Sequence, residues 1–245
     1  MVKINPIFCR VGTKRPLRDV IFKKFPSNYS TYIEPFVGSG AIFFYNDFDD
    51  KKVVLNDLDT RLMGGYKMIK KGVTGDIEKY KNLSMSQLQS IYSGSGGGDM
   101  EQLVRIILDC NTFGSTGKGK IYKPASPYNK LKKLDDYKSK LGNATLLNSD
   151  YKAVIRRYDN ADAFFYLDPP YEESKGLYKH SEFNLEELEK VLSSIKGKFL
   201  LSLNDSSNVR KIFSKFKING IEVETKGKVG IGTGGSRKEV LIKNY

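Results

Sequence analysis

The run Phe164-Phe165-Tyr166-Leu167, followed at once by Asp168-Pro169-Pro170-Tyr171, constrains this chain more than any other stretch. A short, aromatic-rich apolar run bounded by breakers reads as a buried strand. Two consecutive prolines cannot continue a sheet, because neither has an N–H to donate. The chain must therefore leave the sheet in a stiff, extended loop. Asp168 then stands at the carboxyl end of a buried strand, the edge at which open α/β sheets bind ligands. The same residues would also serve as a plain turn, so their meaning depends on the rest of the chain.

That rest repeats the same grammar. A short strand from Thr31 to Ile33 meets Glu34-Pro-Phe36-Val-Gly38-Ser-Gly40, with an apolar helix expected from Ala41. Glycine allows a tight turn and lets a ligand approach the backbone. The third glycine of a dinucleotide fingerprint is missing, since Phe43 occupies its place. Lys52-Val-Val-Leu-Asn56-Asp57 is a second strand ending in an acid, a position suited to a ribose hydroxyl. Strand, glycine loop, helix, strand and acid make half of a nucleotide-binding βαβ unit, far more specific together than apart. Further strands end in polar residues at Asp150 and at Ser202-Leu-Asn204, and Ile221 to Thr225 can pair with Glu239 to Lys243 as closing antiparallel strands. Helices are expected from Pro16, from Thr60 to Lys71 with Gly72 as stop, from Met100 to Cys110, and after Asn184, a capping residue three before Glu187.

Between residues 73 and 150 the βαβ rhythm lapses. Residues 111–140 hold eight lysines against Asp135 and Asp136, with Tyr122, Tyr128 and Tyr137 interleaved. Long irregular segments in compact domains are usually functional, and basic residues mixed with aromatics suit phosphates and bases. Candidate nucleic-acid contacts are Asn111, Lys118, Lys120, Tyr122 and Lys130, with Arg237 in the glycine-rich loop near the C-terminus. The net charge of +13 also favours a polyanionic partner. A single histidine, His180, makes a Ser-His-Asp triad unpromising. Cys9 and Cys110 are too few for a disulfide framework and lack metal-ligand spacing, so a reducing interior is their simplest home. No apolar run is long enough for a membrane span, and the first residues carry no signal-peptide pattern.

Taken in order, these motifs make the chain resemble the Dam-type (D12 class) DNA adenine-N6 methyltransferases over nearly its whole length. Gly12-Thr13-Lys14 resembles the N-terminal cofactor motif, Glu34 to Gly40 the glycine loop, and Asn56-Asp57-Leu-Asp59 the second acidic motif. Asn148-Ser-Asp150, Asp168-Pro-Pro-Tyr171 and Ser202-Leu-Asn204 follow in the family's order. Arg10 stands where relatives often carry an aromatic, and Asp109-Cys110-Asn111-Thr112 where they often show Asn-Arg.

The resemblance implies a Rossmann-like methyltransferase fold: a mostly parallel sheet with a C-terminal antiparallel hairpin, and an inserted, mainly helical target-recognition domain. Its segments are 1–60 (catalytic, cofactor motifs), 61–144 (target recognition) and 145–245 (catalytic, second part). It implies S-adenosylmethionine as methyl donor, no metal, and double-stranded DNA as substrate, with a GATC-type site as the family-level expectation. Cofactor contacts carry over to Arg10, Lys14, Glu34, Phe36, Gly38, Gly40, Asp57, Asp150 and Asp168. Catalytic roles carry over to Asp168, Pro169, Pro170 and Tyr171. The protein is expected to be a monomer or weak dimer without an obligate protein partner, cytoplasmic in a bacterium or in a cell carrying a phage or virus, with restriction–modification among the roles such an enzyme serves.

Three other readings compete. A dinucleotide-dependent oxidoreductase would use Gly38, Gly40 and Asp57, but leaves Asp168 to Tyr171 without a role. A catalytically silent DNA-binding relative is disfavoured by the intact chemical residues. An RNA or protein-amide methyltransferase also uses acid- or amide-Pro-Pro-Tyr motifs.

Overall fold

The computed structural model describes residues 3–112, 119–170, 183–224 and 236–245. In chain order its elements are α1 (Arg18–Phe22), β1 (Thr31–Glu34), β2 (Lys52–Asn56), α2 (Thr60–Lys71), α3 (Met85–Ser93), α4 (Asp99–Leu108), α5 (Tyr128–Leu131) and α6 (Leu134–Leu141). There follow β3 (Ala144–Leu147), α7 (Tyr151–Tyr158), β4 (Ala163–Leu167), α8 (Leu185–Ser193), β5 (Lys198–Asn204), α9 (Ser207–Ile212), β6 (Lys217–Glu224) and β7 (Ser236–Lys243). The strand order of the sheet is β3-β2-β1-β4-β5-β7-β6. β1 with β4 and β4 with β5 pair in parallel, while β7 runs antiparallel to β5 and β6. This is the α/β fold with a closing antiparallel hairpin that the sequence pattern predicts. No described helix is long and apolar enough to cross a membrane.

The chain divides into two compact units. One holds residues 1–15, 37–49 and 55–149; the other holds 16–36, 50–54 and 150–245.

The second unit contains β1 and β4 to β7. β4 is buried along its whole length, and β5 along all but its first residue. Near-continuous apolar runs of this kind belong to strands covered on both faces. Tyr32 pairs with Phe164 and Ile33 with Phe165. Leu167 pairs with Leu201. Phe164 also packs edge-on against Phe25, with centroids 4.6 Å apart. Such contacts add about 0.5–1.5 kcal/mol beyond burial. Helix starts are side-chain capped: Asp150 accepts from Lys152 N–H, Asn184 from Glu187 N–H and Ser206 from Val209 N–H. Each such cap contributes about 1 kcal/mol.

The first unit is mainly helical. α2 begins at the cap Asp59, whose carboxylate accepts from Leu62 N–H, and stops at Gly72. Its Gly65 lies against Phe8 and Ile106: a Cβ there would come 2.6 Å from the Phe8 ring. α4 buries Leu103, Val104, Ile106, Ile107 and Leu108.

Two expectations are corrected here. No α-helix forms from Ala41. Phe44 N–H reaches Gly40 O at 2.9 Å and Asn46 N–H reaches Ile42 O at 3.2 Å, but the segment stays a series of turns. The two glycines before it have positive φ (+47° at Gly38, +68° at Gly40), a backbone from which a regular right-handed helix cannot simply continue. The two cysteines are not separate thiols: Cys9 and Cys110 are joined as a disulfide across 101 residues.

Candidate functional site

In the first unit the glycine loop is tied to the end of β2. Val37 N–H donates to Asn56 O at 2.8 Å, and Gly38 N–H donates to Asp57 Oδ2 at 2.9 Å. The other Asp57 oxygen accepts from Asp59 N–H at 3.0 Å. Tyr66 Oη holds Gly38 O at 2.9 Å from α2. A Cβ on Gly40 would fall 2.8 Å from the Phe44 ring, so the loop closes only with glycine there, whereas at Gly38 it would meet open space. The structure thus leaves room beside Gly38 for a ligand to approach the main chain.

Asp57 is half-buried. Desolvation pushes its carboxyl up from the ordinary aspartate value, opposed by the two backbone N–H groups and by Arg10. Behind it, Asn148 Nδ2 donates to Asp57 O at 2.8 Å. The Asn56 amide pairs in both directions with the Ser149 backbone, each bond at 2.9 Å. The Asn-Ser pair of the third motif therefore braces the second acidic motif, a role the sequence reading did not assign.

Lys14 is buried, with Nζ 3.3 Å from Gly12 O. Thr13 Oγ1 lies 3.3 Å from Ser39 Oγ, which joins the N-terminal motif to the glycine loop. Arg10 is held by two carboxylates, Asp59 at 2.8 Å and Asp109 at 3.6 Å. A buried cation, a braced carboxylate and an open glycine backbone match the chemistry of a ligand carrying a carboxylate and a diol. These residues therefore fit a nucleoside-type cofactor.

In the second unit the exits of β1 and β4 stand side by side, where the strand order reverses, the place at which open α/β sheets bind ligands. β1 delivers Glu34, buried and bonded to Tyr32 Oη at 2.5 Å. β4 delivers Asp168 half-buried, then Pro169 buried and Pro170 half-buried. Phe36, just after β1, packs with Tyr151 at 5.2 Å and Phe183 at 5.7 Å; Tyr151 and Phe183 are 5.7 Å apart. The Tyr151 hydroxyl is buried without a hydrogen-bond partner among the described residues. Burial first, then Glu187 and Asp150, push it well above the ordinary tyrosine range. Tyr151 and Phe183 went unnoticed in the sequence because aromatics flanking an acid and a helix cap look like core. Asp150 is exposed and caps α7 through Lys152 N–H at 2.8 Å. Farther along, Ser202 Oγ meets Glu239 at 3.3 Å in the interior, and Asn204 pairs with Glu239 in register.

The candidate nucleic-acid residues separate. Lys120 is exposed, and Tyr122 is 65% exposed. Asn111 is buried, its amide donating to Ala125 O at 2.6 Å. Lys130 Nζ donates to Ile7 O at 2.6 Å and lies 2.8 Å from Cys110 Sγ. Its amine is pushed down to about 8, by burial first and then by Arg15. Both Asn111 and Lys130 hold the unit together internally. Tyr171, His180 and Lys118 lie outside the described residues, as does the side chain of Arg237.

The chain is similar in sequence to known proteins. The model of the "D12 class N6 adenine-specific DNA methyltransferase" family matches residues 11–93 and 111–227. The Type II methyltransferase M1.LlaDCHI of Lactococcus lactis subsp. cremoris is 24% identical over 277 residues, spanning 100% of this chain and 96% of that protein. The Type II methyltransferase M.MjaIII of Methanocaldococcus jannaschii is 26% identical over 298 residues, spanning both in full. A DNA adenine methylase of Haemophilus influenzae is 27% identical over 253 residues, spanning 91% of this chain and 87% of that protein.

Proposed function

The chain belongs to the D12 class of N6 adenine-specific DNA methyltransferases, and from that premise we propose how its own residues carry out methyl transfer to adenine in DNA. The family implies S-adenosylmethionine as methyl donor, which when bound supplies an electrophilic methyl on a sulfonium sulfur. In the family pattern the contacts to it fall on Lys14 for the carboxylate, on Phe36, Gly38 and Gly40 along the methionine portion, on Asp57 for the ribose hydroxyls and on Asp150 for the adenine. The braced Asp57 carboxylate and the open Gly38 main chain support this reading.

The exocyclic amine of adenine is a poor nucleophile, because its lone pair is delocalised into the ring. Asp168 accepts one N6–H and the Pro169 carbonyl accepts the other. That geometry draws the lone pair out of conjugation and directs it at the methyl. As the N6–methyl bond forms and the methyl–sulfur bond breaks to leave a neutral thioether, the Asp168 carboxylate would stabilise the positive charge on N6 through the N–H it accepts. N6 would then release one proton to give the neutral methylated amine. Pro170 keeps both acceptors fixed before the reaction begins, where preorganised electrostatics are most effective. Tyr171 stacks on the base. An adenine inside a duplex is out of reach, so it is flipped out at a cost of a few kcal/mol; stacking on an aromatic returns about 1–3 kcal/mol. Alignment of the two reacting groups supplies much of the rest.

Lys118, Lys120, Tyr122 and Arg237 are the residues we assign to DNA contact, on a short duplex site of the GATC type. We read the enzyme as a monomer or weak dimer that acts inside the cell, where its DNA substrate lies.

The observation that carries the reading is the rigid exit of β4, which holds Asp168 beside the end of β1 at the reversal of strand order. The test is transfer of labelled methyl from S-adenosylmethionine to duplex DNA, with the product nucleoside identified and the site mapped by methylation-sensitive sequencing. N6-methyladenine at one short motif is expected. No incorporation into any duplex would overturn the reading in favour of a silent DNA-binding protein. Incorporation into RNA or protein alone would reassign the substrate.

A further inference from the structure

Arg10 and Asp109 lie far apart in the sequence, and the structure brings them together. Asp109 closes α4 and is buried. One of its oxygens accepts from Arg61 Nη2 at 3.1 Å and from Tyr92 Oη at 3.2 Å. The other lies 3.6 Å from Arg10 Nη1. Arg10 Nη2 in turn donates to Asp59 Oδ2 at 2.8 Å. Asp59 N–H donates to Asp57 Oδ1, whose partner oxygen holds Gly38. An unbroken series of hydrogen bonds and ion pairs thus runs from the end of α4 to the glycine loop. The residues beside Arg10 and Asp109, Cys9 and Cys110, are joined covalently with Cα atoms 5.0 Å apart, so the main chain at both ends of the ion pair is fixed.

We propose that Asp109 is a positioning residue for the methyl donor: through Arg10 and Asp59 it holds the Asp57 carboxylate in its binding orientation. The proposal rests on the reading of Asp57 as a cofactor contact given above. The physical reason is charge balance in a confined space. Asp57 and Asp59 are two residues apart, and repulsion between them opposes the ionised form of Asp57. Arg10 sits against Asp59 and offsets that repulsion. Arg10 is itself largely buried, its side chain 18% exposed. A guanidinium so placed keeps one orientation only when more than one acceptor fixes its fork. Nη1 of Arg10 donates to Cys9 O at 3.0 Å, and Asp109 adds a second carboxylate beside that nitrogen; Arg61 pairs with Asp109 in turn, so the aspartate is not left as an uncompensated buried charge. In effect, a helix within the target-recognition segment tunes the affinity for the cofactor.

The experiment is a double-mutant cycle on the full chain, read by calorimetric titration with S-adenosylmethionine and by turnover at saturating cofactor and DNA. Asp109→Asn keeps the shape and removes the charge; Arg10→Gln removes its partner; Asp57→Ala tests the underlying reading. We expect Asp109→Asn and Arg10→Gln each to weaken cofactor binding about tenfold, and the double variant also by about tenfold, because both break one linked series. Turnover of Asp109→Asn at saturation should stay within about twofold of wild type, by the rule that lost uniform binding raises KM and spares kcat. Asp109→Glu should recover most of the affinity. If Asp109→Asn fails to fold, Arg10→Gln with Asp59→Asn completes the same cycle. Independent, multiplying effects overturn the proposal. So does wild-type affinity in Asp109→Asn while Asp57→Ala loses binding. Unchanged affinity in Asp57→Ala overturns the reading of Asp57 itself, a separate outcome.

Discussion

The Gly38 main-chain N–H donates to the Asp57 carboxylate at 2.9 Å across 19 residues of chain. One bond therefore sets the shape of the glycine loop and the orientation of the acid at the end of β2. Because that acid is half-buried, its charge state has a consequence that can be measured.

Burial raises the Asp57 carboxyl above its ordinary value of 3.8. A raised carboxylate holds its proton in the folded state after the unfolded chain has lost it. Stability contributed by this group is therefore present at low pH and lost as pH rises from 3.8 through the folded value. Cofactor binding has the opposite sense, since only the ionised form accepts hydroxyl donors at both oxygens. Affinity for S-adenosylmethionine should fall on acidification, with a midpoint above 3.8. Isothermal titrations at several pH values check this, and Asp57→Asn should remove that acid limb.

Asp168→Ala is expected to abolish methyl transfer, by about a hundredfold or more, the scale of losing a preorganised electrostatic contact. Binding to duplex DNA, followed by fluorescence anisotropy, should be largely spared. Retention of a tenth of the turnover would count against the role assigned to this carboxylate.

Lys120 and Lys130 should behave differently although both lie in the basic segment. Lys120 is exposed, so Lys120→Ala should weaken DNA binding and lower the salt slope by about one unit, as removal of one phosphate contact does. Lys130 is turned toward Ile7 O and Cys110, so Lys130→Met should leave the slope unchanged and alter stability instead. Its amine, pushed down to about 8 from 10.5, binds a proton less readily folded than unfolded, so stability should rise between those two values. Urea denaturation at pH 8 and pH 10 in the two proteins reads this out, and Lys130→Met should flatten the rise.

The Cys9–Cys110 bond closes a loop across 101 residues. Its reduction, or the double serine variant, should lower stability by about 2–4 kcal/mol, the usual range for a crosslink of that kind. Thermal melts with and without dithiothreitol measure it. Identical melting temperatures would show that the bond contributes nothing to folding.

Much of the fold was legible because it rests on local rules. Thr60 to Lys71 was readable as a helix with Gly72 as its stop, and α2 has those limits. Asn184 with Glu187 announced the start of α8, where Asn184 is the cap. The apolar run before Asp168 is β4, and the closing strands pair antiparallel as their pattern predicted. The segment after Gly40 was misread as a helix because apolar spacing does not register the backbone angles that two positive-φ glycines impose just before it.

By itself, then, the sequence determined the α/β class, the family, and the chemical kinds at the site: an acid after a rigid strand, a glycine loop and a second acid. These depend on side-chain type, local spacing and order, which a linear pattern carries in full. Only the tertiary structure decided which side chains hold one another. It joined Cys9 to Cys110, set Arg10 between Asp59 and Asp109, turned Lys130 and Asn111 inward, and gathered Phe36, Tyr151 and Phe183. The physical reason is range. Hydrogen bonds, ion pairs and ring contacts act over a few ångströms, and partners such as Lys130 and Ile7, 123 residues apart, come within that distance only after the chain has packed.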